Sequence, residues 1–157
     1  MQLTLHADYS LRVLLYLAGQ NQRPVSTRQI SRAYGISRTH LVRVVQTLHT
    51  HGFVTVSAGR TGGVKLARSP ALINLGDVVR KAEPGFRIVE CFDLATNTCP
   101  IAPVCRLRGI LAQALDSFFR VLDGWTLADL AHTTGGQTLA VWLQIEKPVL
   151  QIEKPPA

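Results

Sequence analysis

The chain has 157 residues, 46% of them hydrophobic, which is enough for one compact domain or two small modules sharing a core and excludes a chain that is disordered throughout. Its net charge of +7 is unevenly distributed along the chain. Residues 1–87 carry 12 Lys and Arg against 3 Asp and Glu (+9), while residues 88–157 carry 5 against 7 (−2). A basic first half predicts a module that binds a polyanion. The opening apolar stretch is interrupted by Asp8 and Arg12 and is too short to span a bilayer, and three cysteines without a signal peptide predict a cytoplasmic protein rather than a secreted one.

The first fifty residues predict three helices with a tight break before the third. The first covers about residues 3–19, on the helical spacing of Leu11, Leu14, Leu15 and Ala18. Ser26 opens an S-x-x-Q capping box, which predicts a short helix over about 26–33. After the break, Ser37 is the predicted cap of a third helix that runs to about residue 50. Its buried stripe is predicted to be Leu41, Val44, Val45 and Leu48.

Beyond Gly52, which is predicted to terminate the third helix, the apolar residues take the period of β-strands. Residues 53–56 and 64–66 predict two strands, and the AGRTGG segment between them predicts the turn of a hairpin. Helix, short helix, break, helix and hairpin in this order are typical of a winged helix-turn-helix. We therefore expect a mainly α fold with a small β-hairpin wing, and assign residues 1–85 to a winged helix-turn-helix DNA-binding domain.

The second half of the chain predicts a loop followed by a long helix. A short helix over about 74–82 comes first, and residues 86–105 form a loop that contains all three cysteines. Residues 106–132 are predicted to hold a long helix with two apolar faces and a short following helix, TLADL. One face is spaced like a coiled-coil seam and predicts homodimerisation, with a helix packed only in its own core as the alternative; the seam is Leu107, Leu111, Ala114, Phe118 and Val121. Residues 133–157, which repeat LQIEKP, are expected to be a flexible tail.

A helix-turn-helix places the start of its second helix in the major groove of DNA, and here that start is Ser37-Arg38-Thr39-His40. Arg38 or Arg43 can donate two hydrogen bonds to a guanine edge. The residues better suited to phosphates are Ser26, Thr27, Arg28, Thr39 and His40. Arg60, at the hairpin tip beside Gly62 and Gly63, is predicted to reach the minor groove. Each arginine alone also fits an ordinary solvated surface, but the set predicts binding to double-stranded DNA.

The cysteines form one pattern, C-x7-C-x5-C, made by Cys91, Cys99 and Cys105. Structural zinc sites use four ligands at shorter spacings. A redox thiol switch or a disulfide would leave one thiol over, and three unrelated buried thiols are a further alternative. An iron–sulfur cluster, which loop thiolates hold and which accepts some other ligands, fits the pattern best. A fourth iron would then need an oxygen or nitrogen donor, for which Asp8, His6 and Glu90 are candidates.

Several separate blocks of sequence carry a resemblance to a known family. They are MQLT with DY-LR-L-YLA, SRTHLVRVVQTL, GRTGGVKLA, LGDVVRKAEP, the cysteine pattern with the following RL, and SFF-VLD-WTLADL. Together they resemble the iron–sulfur winged helix-turn-helix transcriptional regulators of the NsrR, IscR and RirA types from residue 1 to about residue 131. The likeness is greatest to the nitric-oxide-sensing NsrR type, although iron regulators of the RirA type share this cysteine spacing.

The resemblance implies a transcriptional repressor whose affinity for its operator is switched by an iron–sulfur cluster that senses nitric oxide, with an iron- or cluster-status regulator as the alternative. It implies that Cys91, Cys99 and Cys105 bind the cluster and that Asp8 supplies a further ligand from the other subunit of a homodimer. The cluster is expected to be [4Fe–4S], with [2Fe–2S] as the alternative. Because no nucleotide-binding glycine fingerprint or catalytic pattern accompanies these motifs, we do not expect an enzyme.

Overall fold

The computed structural model describes residues 2–59, 62–130 and 143 of the chain. Within this part the fold is mainly α with one antiparallel β-hairpin, which confirms the predicted fold class. Short 3-10 turns lie between the last elements, at Pro70–Leu72, Glu90–Phe92 and Ala102–Val104. The regular elements in chain order are α1 (Leu5–Ala18), α2 (Thr27–Tyr34), α3 (Arg38–Thr50), β1 (Val54–Ser57), β2 (Gly63–Leu66), α4 (Leu75–Ala82) and α5 (Arg106–Asp123).

The ends of the first three helices follow from local chemistry, with one exception. Ser26 and Gln29 form both hydrogen bonds of the predicted capping box at the start of α2. Gly35 ends α2 in the left-handed conformation, with φ of 66°, a conformation that costs glycine little. Ser37 occupies the N-cap position of α3 but makes no side-chain capping hydrogen bond, so the prediction that this side chain caps the helix is wrong.

The core lies between α1, α3, α4 and the hairpin. The stripe predicted for α3 is buried throughout, from Leu41 to Leu48. Of the stripe predicted for α1, Leu14 is buried, whereas Leu11, Leu15 and Ala18 are half-buried. The buried face is completed instead by neighbouring residues that include Val13, Tyr16 and Leu17. Leu143 packs against this core from beyond the end of the continuous described chain. In the described residues, no helix is both long enough and apolar enough to cross a membrane.

The hairpin is tied to the segment before α2. β1 pairs with β2 in the register Val54↔Leu66 to Ser57↔Gly63, and Val25 bridges Val64 through two backbone hydrogen bonds of 2.9 and 2.8 Å. Gly63 lies at this crossing, where an added Cβ would stand 2.7 Å from the Val25 carbonyl oxygen. A side chain at residue 63 would therefore push the wing away from the helix-turn-helix.

Helix α5 packs against α4 near its own C-terminal end, where Phe119 is its only buried residue. Leu107, Ile110 and Val121 stay exposed. The predicted TLADL helix is wrong within the described residues: Thr126 bridges Asn74 and residues 127–130 form a turn. The Leu127 N–H donates to the Ile73 carbonyl at 2.8 Å, which fastens this turn to the segment before α4. The predicted tail over 133–157 lies outside the described residues except for residue 143.

Candidate nucleic-acid interface and cysteine loop

The start of α3 is an uncovered polar surface on a well-anchored helix. Arg38, Thr39, His40 and Arg43 are all exposed, as is Ser37 before them. The opposite face of α3 is buried, so rotation of the helix about its axis is restrained. Backbone N–H groups at a helix start also favour negative charge nearby. This surface therefore has the shape and charge expected of a helix that enters a DNA groove.

The predicted phosphate contacts before α3 lie at the start of α2. Arg28 is exposed and Thr27 is half-buried. The Ser26 hydroxyl is already engaged, because it donates to Gln29 Oε1 at 2.9 Å and accepts from the Gln29 N–H at 3.4 Å. The Ser26 backbone N–H also donates to Gln29 Oε1, at 2.8 Å. Ser26 can therefore reach a phosphate only by sharing a donor with the capping box.

The predicted DNA-binding residues of the wing are less accessible than those of α3 where the structure describes them. Gly62 and Gly63 are half-buried at the start of β2, and both glycines have a steric reason to lack a side chain, since a Cβ at Gly62 would overlap the backbone of Ala58. The predicted minor-groove residue, Arg60, lies outside the described residues. Its contact with DNA stays a prediction.

Two side-chain contacts join helix α1 to α3, one near each end of α3. His6 Nε2 and Thr47 Oγ1 are hydrogen-bonded at 3.0 Å, and the rings of Tyr9 and His40 lie 6.2 Å apart between centroids. Asp8, between these two contacts on α1, accepts from Arg12 Nε at 3.0 Å and pairs with Arg12 NH2 at 2.8 Å. The predicted ligand Asp8 thus lies on the helix that contacts α3.

The cysteine loop is held by hydrogen bonds between residues that neighbour the cysteines. Glu90 accepts from the Thr98 N–H at 2.6 Å and from the Thr98 hydroxyl at 2.7 Å, which ties the turn of Cys91 to the segment of Cys99. The Thr98 hydroxyl, followed by the backbone N–H, holds the pKa of Glu90 below its ordinary value. Similarly, the Ala95 N–H lowers the pKa of Asp93, with smaller contributions from Thr96 and Arg87.

All three thiols are free and half-buried. Cys99 is linked toward the third cysteine by the Ala102 N–H, which donates to the Cys99 carbonyl at 3.2 Å. Cys105 is the N-cap residue of α5, at the end of the helix that favours negative charge. Within residues 2–59, 62–130 and 143, no three His, Cys, Asp or Glu side chains converge as a metal site. The donor chemistry nevertheless fits an iron–sulfur group, which requires unpaired loop thiols, and the ligand assignment stays a prediction.

The candidates for a fourth ligand are each engaged within the chain. His6 bonds Thr47, Asp8 bonds Arg12, and Glu90 bonds Thr98. Of the three, Asp8 is the one whose partner is an exposed side chain on the same helix, four residues away. Exchange of such a contact costs little, because exposed ion pairs of this kind contribute about 0.3–0.5 kcal/mol.

Two exposed residues of α3 were not among the site residues predicted from the sequence. Val42 is 55% exposed and Gln46 is exposed one turn later. The helical spacing of the buried stripe already placed both outside the core, so the signal was present in the sequence. A valine uncovered beside Arg38 and Arg43 is suited to an apolar contact with a thymine methyl group.

Comparison with known proteins identifies the family. The family model Rrf2, described as an iron-dependent transcriptional regulator, matches residues 3–133. The HTH-type transcriptional regulators NsrR of Halalkalibacterium halodurans and Bacillus subtilis are each 47% identical over 131 residues, 83% of this chain and 90% of theirs. The structure of CymR, the global cysteine regulator of B. subtilis, superposes with a TM-score of 0.67 at 27% identity, covering 83% of this chain and 96% of that one. The chain therefore belongs to the Rrf2 family of transcriptional regulators.

Proposed function

We propose that the chain is a transcriptional repressor that binds its operator as a homodimer and responds to nitric oxide through an iron–sulfur cluster. The observation that carries the DNA-binding half is the exposed start of α3, with Arg38 and Arg43 opposite a buried stripe. The 47% identity to regulators named NsrR and the resemblance of the motifs to the nitric-oxide-sensing type support the signal. Cytoplasmic localisation belongs to the same proposal.

The cysteine loop is the proposed cluster site. Cys91, Cys99 and Cys105 would supply the thiolates, and Asp8 of the partner subunit would supply an oxygen ligand. We propose [4Fe–4S] because three thiolates and one oxygen ligand account for four iron sites, with [2Fe–2S] as the alternative. When bound, the cluster supplies iron that reacts with nitric oxide.

Helix α5 is the proposed dimer contact. Its seam residues Leu107 and Val121 are exposed, and so is Ile110 on the other apolar face. Exposed large apolar residues at helical spacing favour burial against a second helix. A two-fold dimer would present two α3 helices to two half-sites of a near-palindromic operator.

Signal transfer would use the contacts between α1 and α3. When Asp8 serves the partner subunit, it gives up at least part of its pairing with Arg12, and α1 takes a different set of restraints. Because His6 bonds Thr47 near the end of α3 and Tyr9 lies beside His40 near its start, a shift of α1 would move α3. A difference of about 1–3 kcal/mol between the two states would change operator affinity by about 5–150-fold.

The test begins with the full chain reconstituted without oxygen and with DNA selected by that protein from a randomised pool of duplexes. Operator affinity is measured by fluorescence anisotropy before and after addition of nitric oxide. We expect the affinity to fall, and iron content to be lost in Cys91→Ser, Cys99→Ser and Cys105→Ser but not after substitution of an exposed loop residue such as Leu94→Ala. Affinity that nitric oxide leaves unchanged in iron-loaded protein would overturn the signal.

A second candidate is a repressor that responds to iron or cluster status, which the family description as iron-dependent favours. Removal of iron by a chelator separates the two functions. A nitric-oxide sensor should respond to nitric oxide at constant iron supply, whereas an iron sensor should change its affinity with iron supply and ignore nitric oxide at equal cluster occupancy.

A further inference from the structure

The C-terminal end of α5 is fastened to α4 by a group of side chains that we call the α4–α5 joint: Asn74, Gly76, Arg80, Phe119 and Asp123. At its centre the Arg80 guanidinium donates from NH1 to Asp123 Oδ1 at 2.6 Å and from NH2 to Asp123 Oδ2 at 2.7 Å. Two parallel hydrogen bonds fix the relative orientation of the groups as well as their distance. The hydrogen bond from Arg80 lowers the pKa of Asp123, which keeps the carboxylate ionised.

Further contacts restrain the same two groups. The Arg80 guanidinium lies over the ring of Phe119, 4.1 Å from its centroid. The rings of Phe119 and Phe86 are perpendicular, with their centroids 4.6 Å apart. The Asn74 side-chain amide donates to the Asp123 carbonyl at 2.7 Å and to the Trp125 carbonyl at 3.3 Å. The C-terminal end of α5 is thus held by contacts with Asn74, Arg80 and Phe86.

Gly76 makes room for this arrangement. A Cβ at residue 76 would overlap Asp123 Oδ1 and stand 2.9 Å from Arg80 NH1. Glycine inside a helix costs roughly 0.5–1 kcal/mol relative to alanine, so this glycine weakens α4 locally. The absence of a side chain at residue 76 leaves space for the Asp123 carboxylate to bond Arg80.

Stability alone does not account for the joint. The side chains of Arg80 and Asp123 are each 42% exposed, and exposed ion pairs contribute little to folding. The joint instead fixes the angle between α4 and α5. With 18 residues, α5 is about 27 Å long, and a tilt of about 7° at the joint would move its far end by about 3.4 Å, the rise of one base pair.

We propose that Arg80 and Asp123 are positioning residues that set which spacing between operator half-sites the dimer accepts. The inference rests on the proposed function, since it requires dimerisation through α5. Because each α5 is fixed to its own α4, which packs with α1 and α3 in one core, the α4–α5 angle fixes the distance and rotation between the two α3 helices. A loose joint would let the dimer fit operators of the wrong length.

The test compares affinities for the selected operator with its central spacer unchanged, shortened by one base pair and lengthened by one base pair. Each change alters the separation by about 3.4 Å and the rotation by about 35°. We expect the wild-type chain to discriminate against both altered spacers. Asp123→Asn, Arg80→Gln and Gly76→Ala should move the affinity ratio toward one while affinity for an isolated half-site and iron content stay unchanged. The exchange Arg80→Asp with Asp123→Arg should restore discrimination.

Asp116→Asn is the matched control, because Asp116 is an exposed acid on α5 that makes no ion pair within the described part of the chain. Its spacer profile should equal that of the wild type. Unchanged spacer profiles in Asp123→Asn and Gly76→Ala would overturn the inference. Gly76→Ala is included in case the loss of charge in Asp123→Asn prevents folding, because alanine favours the helix. Failure of the proposed function is separately visible, because the wild-type chain would then bind no selected duplex or bind it as a monomer.

Discussion

Val42 offers a direct test of how α3 meets DNA. Its side chain is 55% exposed on a helix whose other large aliphatic residues are buried, and it is adjacent to Arg43. Neighbouring Cα atoms are 3.8 Å apart, close to the rise of one base pair. We therefore predict that Val42 contacts the methyl group of a thymine within one or two base pairs of a guanine bonded by Arg43 or Arg38.

The expected magnitude follows from burial of one methyl group. Removal of that group, by replacing the thymine with uracil, should cost about 0.8 kcal/mol, or about fourfold in affinity. A symmetric operator contains the contact twice, so substitution in both half-sites should cost about 1.6 kcal/mol, or about 14-fold. The change leaves every hydrogen-bonding group of the base pair in place.

The assay is fluorescence anisotropy on a set of duplexes in which each thymine is replaced by uracil in turn. The wild-type chain should lose affinity at one position per half-site, and Val42→Ala should lose affinity for the parent duplex but show no further loss at that position. Val56→Ala, the same truncation at an exposed valine on β1, should keep the wild-type pattern. An equal uracil effect in the wild-type chain and in Val42→Ala would refute the contact.

Three further predictions concern the folded chain without DNA. Ser26→Ala removes the capping box of α2 and should lower the free energy of unfolding by about 1 kcal/mol, measured by urea titration. Leu127→Ala truncates a fully buried side chain and should cost about 2–5 kcal/mol, whereas Leu130→Ala at a half-buried site should cost less. Burial, partly offset by Arg12, raises the pKa of Tyr34 to about 12, so one tyrosine should ionise late by absorbance. The free energy of unfolding should then fall between about pH 10, where tyrosine ionises in the unfolded chain, and pH 12, and Tyr34→Phe should abolish that decrease.

The elements of the first half could be predicted because their determinants are local. The S-x-x-Q pattern at Ser26, the glycine at residue 35 and the stripe from Leu41 to Leu48 act over a few residues, and α2 and α3 follow them to within one or two positions. The hairpin followed equally well from alternation on either side of a glycine-rich turn. Helix α5 was visible for the same reason.

The TLADL segment shows where a local signal fails. Asp129 does accept from both the N–H and the hydroxyl of Thr126, each at 2.7 Å, as a capping residue does at a helix start. Residues 127–130 nevertheless form a turn, and the Leu127 N–H fastens that turn to Ile73, which is far away in sequence. A capping interaction therefore marks a turn here as readily as a helix start.

The kinds of side chain in the candidate site could be predicted from the sequence, but the contacts between its elements could not. Residue types alone indicated the exposed arginines of α3 and the thiols of the loop, and both predictions concern groups on one element. The contacts that join elements lie beyond such reasoning, since His6 meets Thr47 across 41 residues and Arg80 meets Asp123 across 43. No periodicity relates residues at such distances, because their meeting depends on the packed core.

The two proposals imply two separate routes to α3, and substitutions should disrupt each route without affecting the other. One runs from Asp8 along α1 to α3 through the His6–Thr47 hydrogen bond, and the other runs from α5 through Arg80 and Asp123 into the same core. Because the two routes share no side chain, Thr47→Val should weaken the response to nitric oxide without changing spacer preference. Asp123→Asn should reduce spacer discrimination without changing the response to nitric oxide. Their effects on binding free energy should add to within about 0.3–0.5 kcal/mol, whereas a larger coupling in the double variant would mean that signal and dimer geometry act through one moving element.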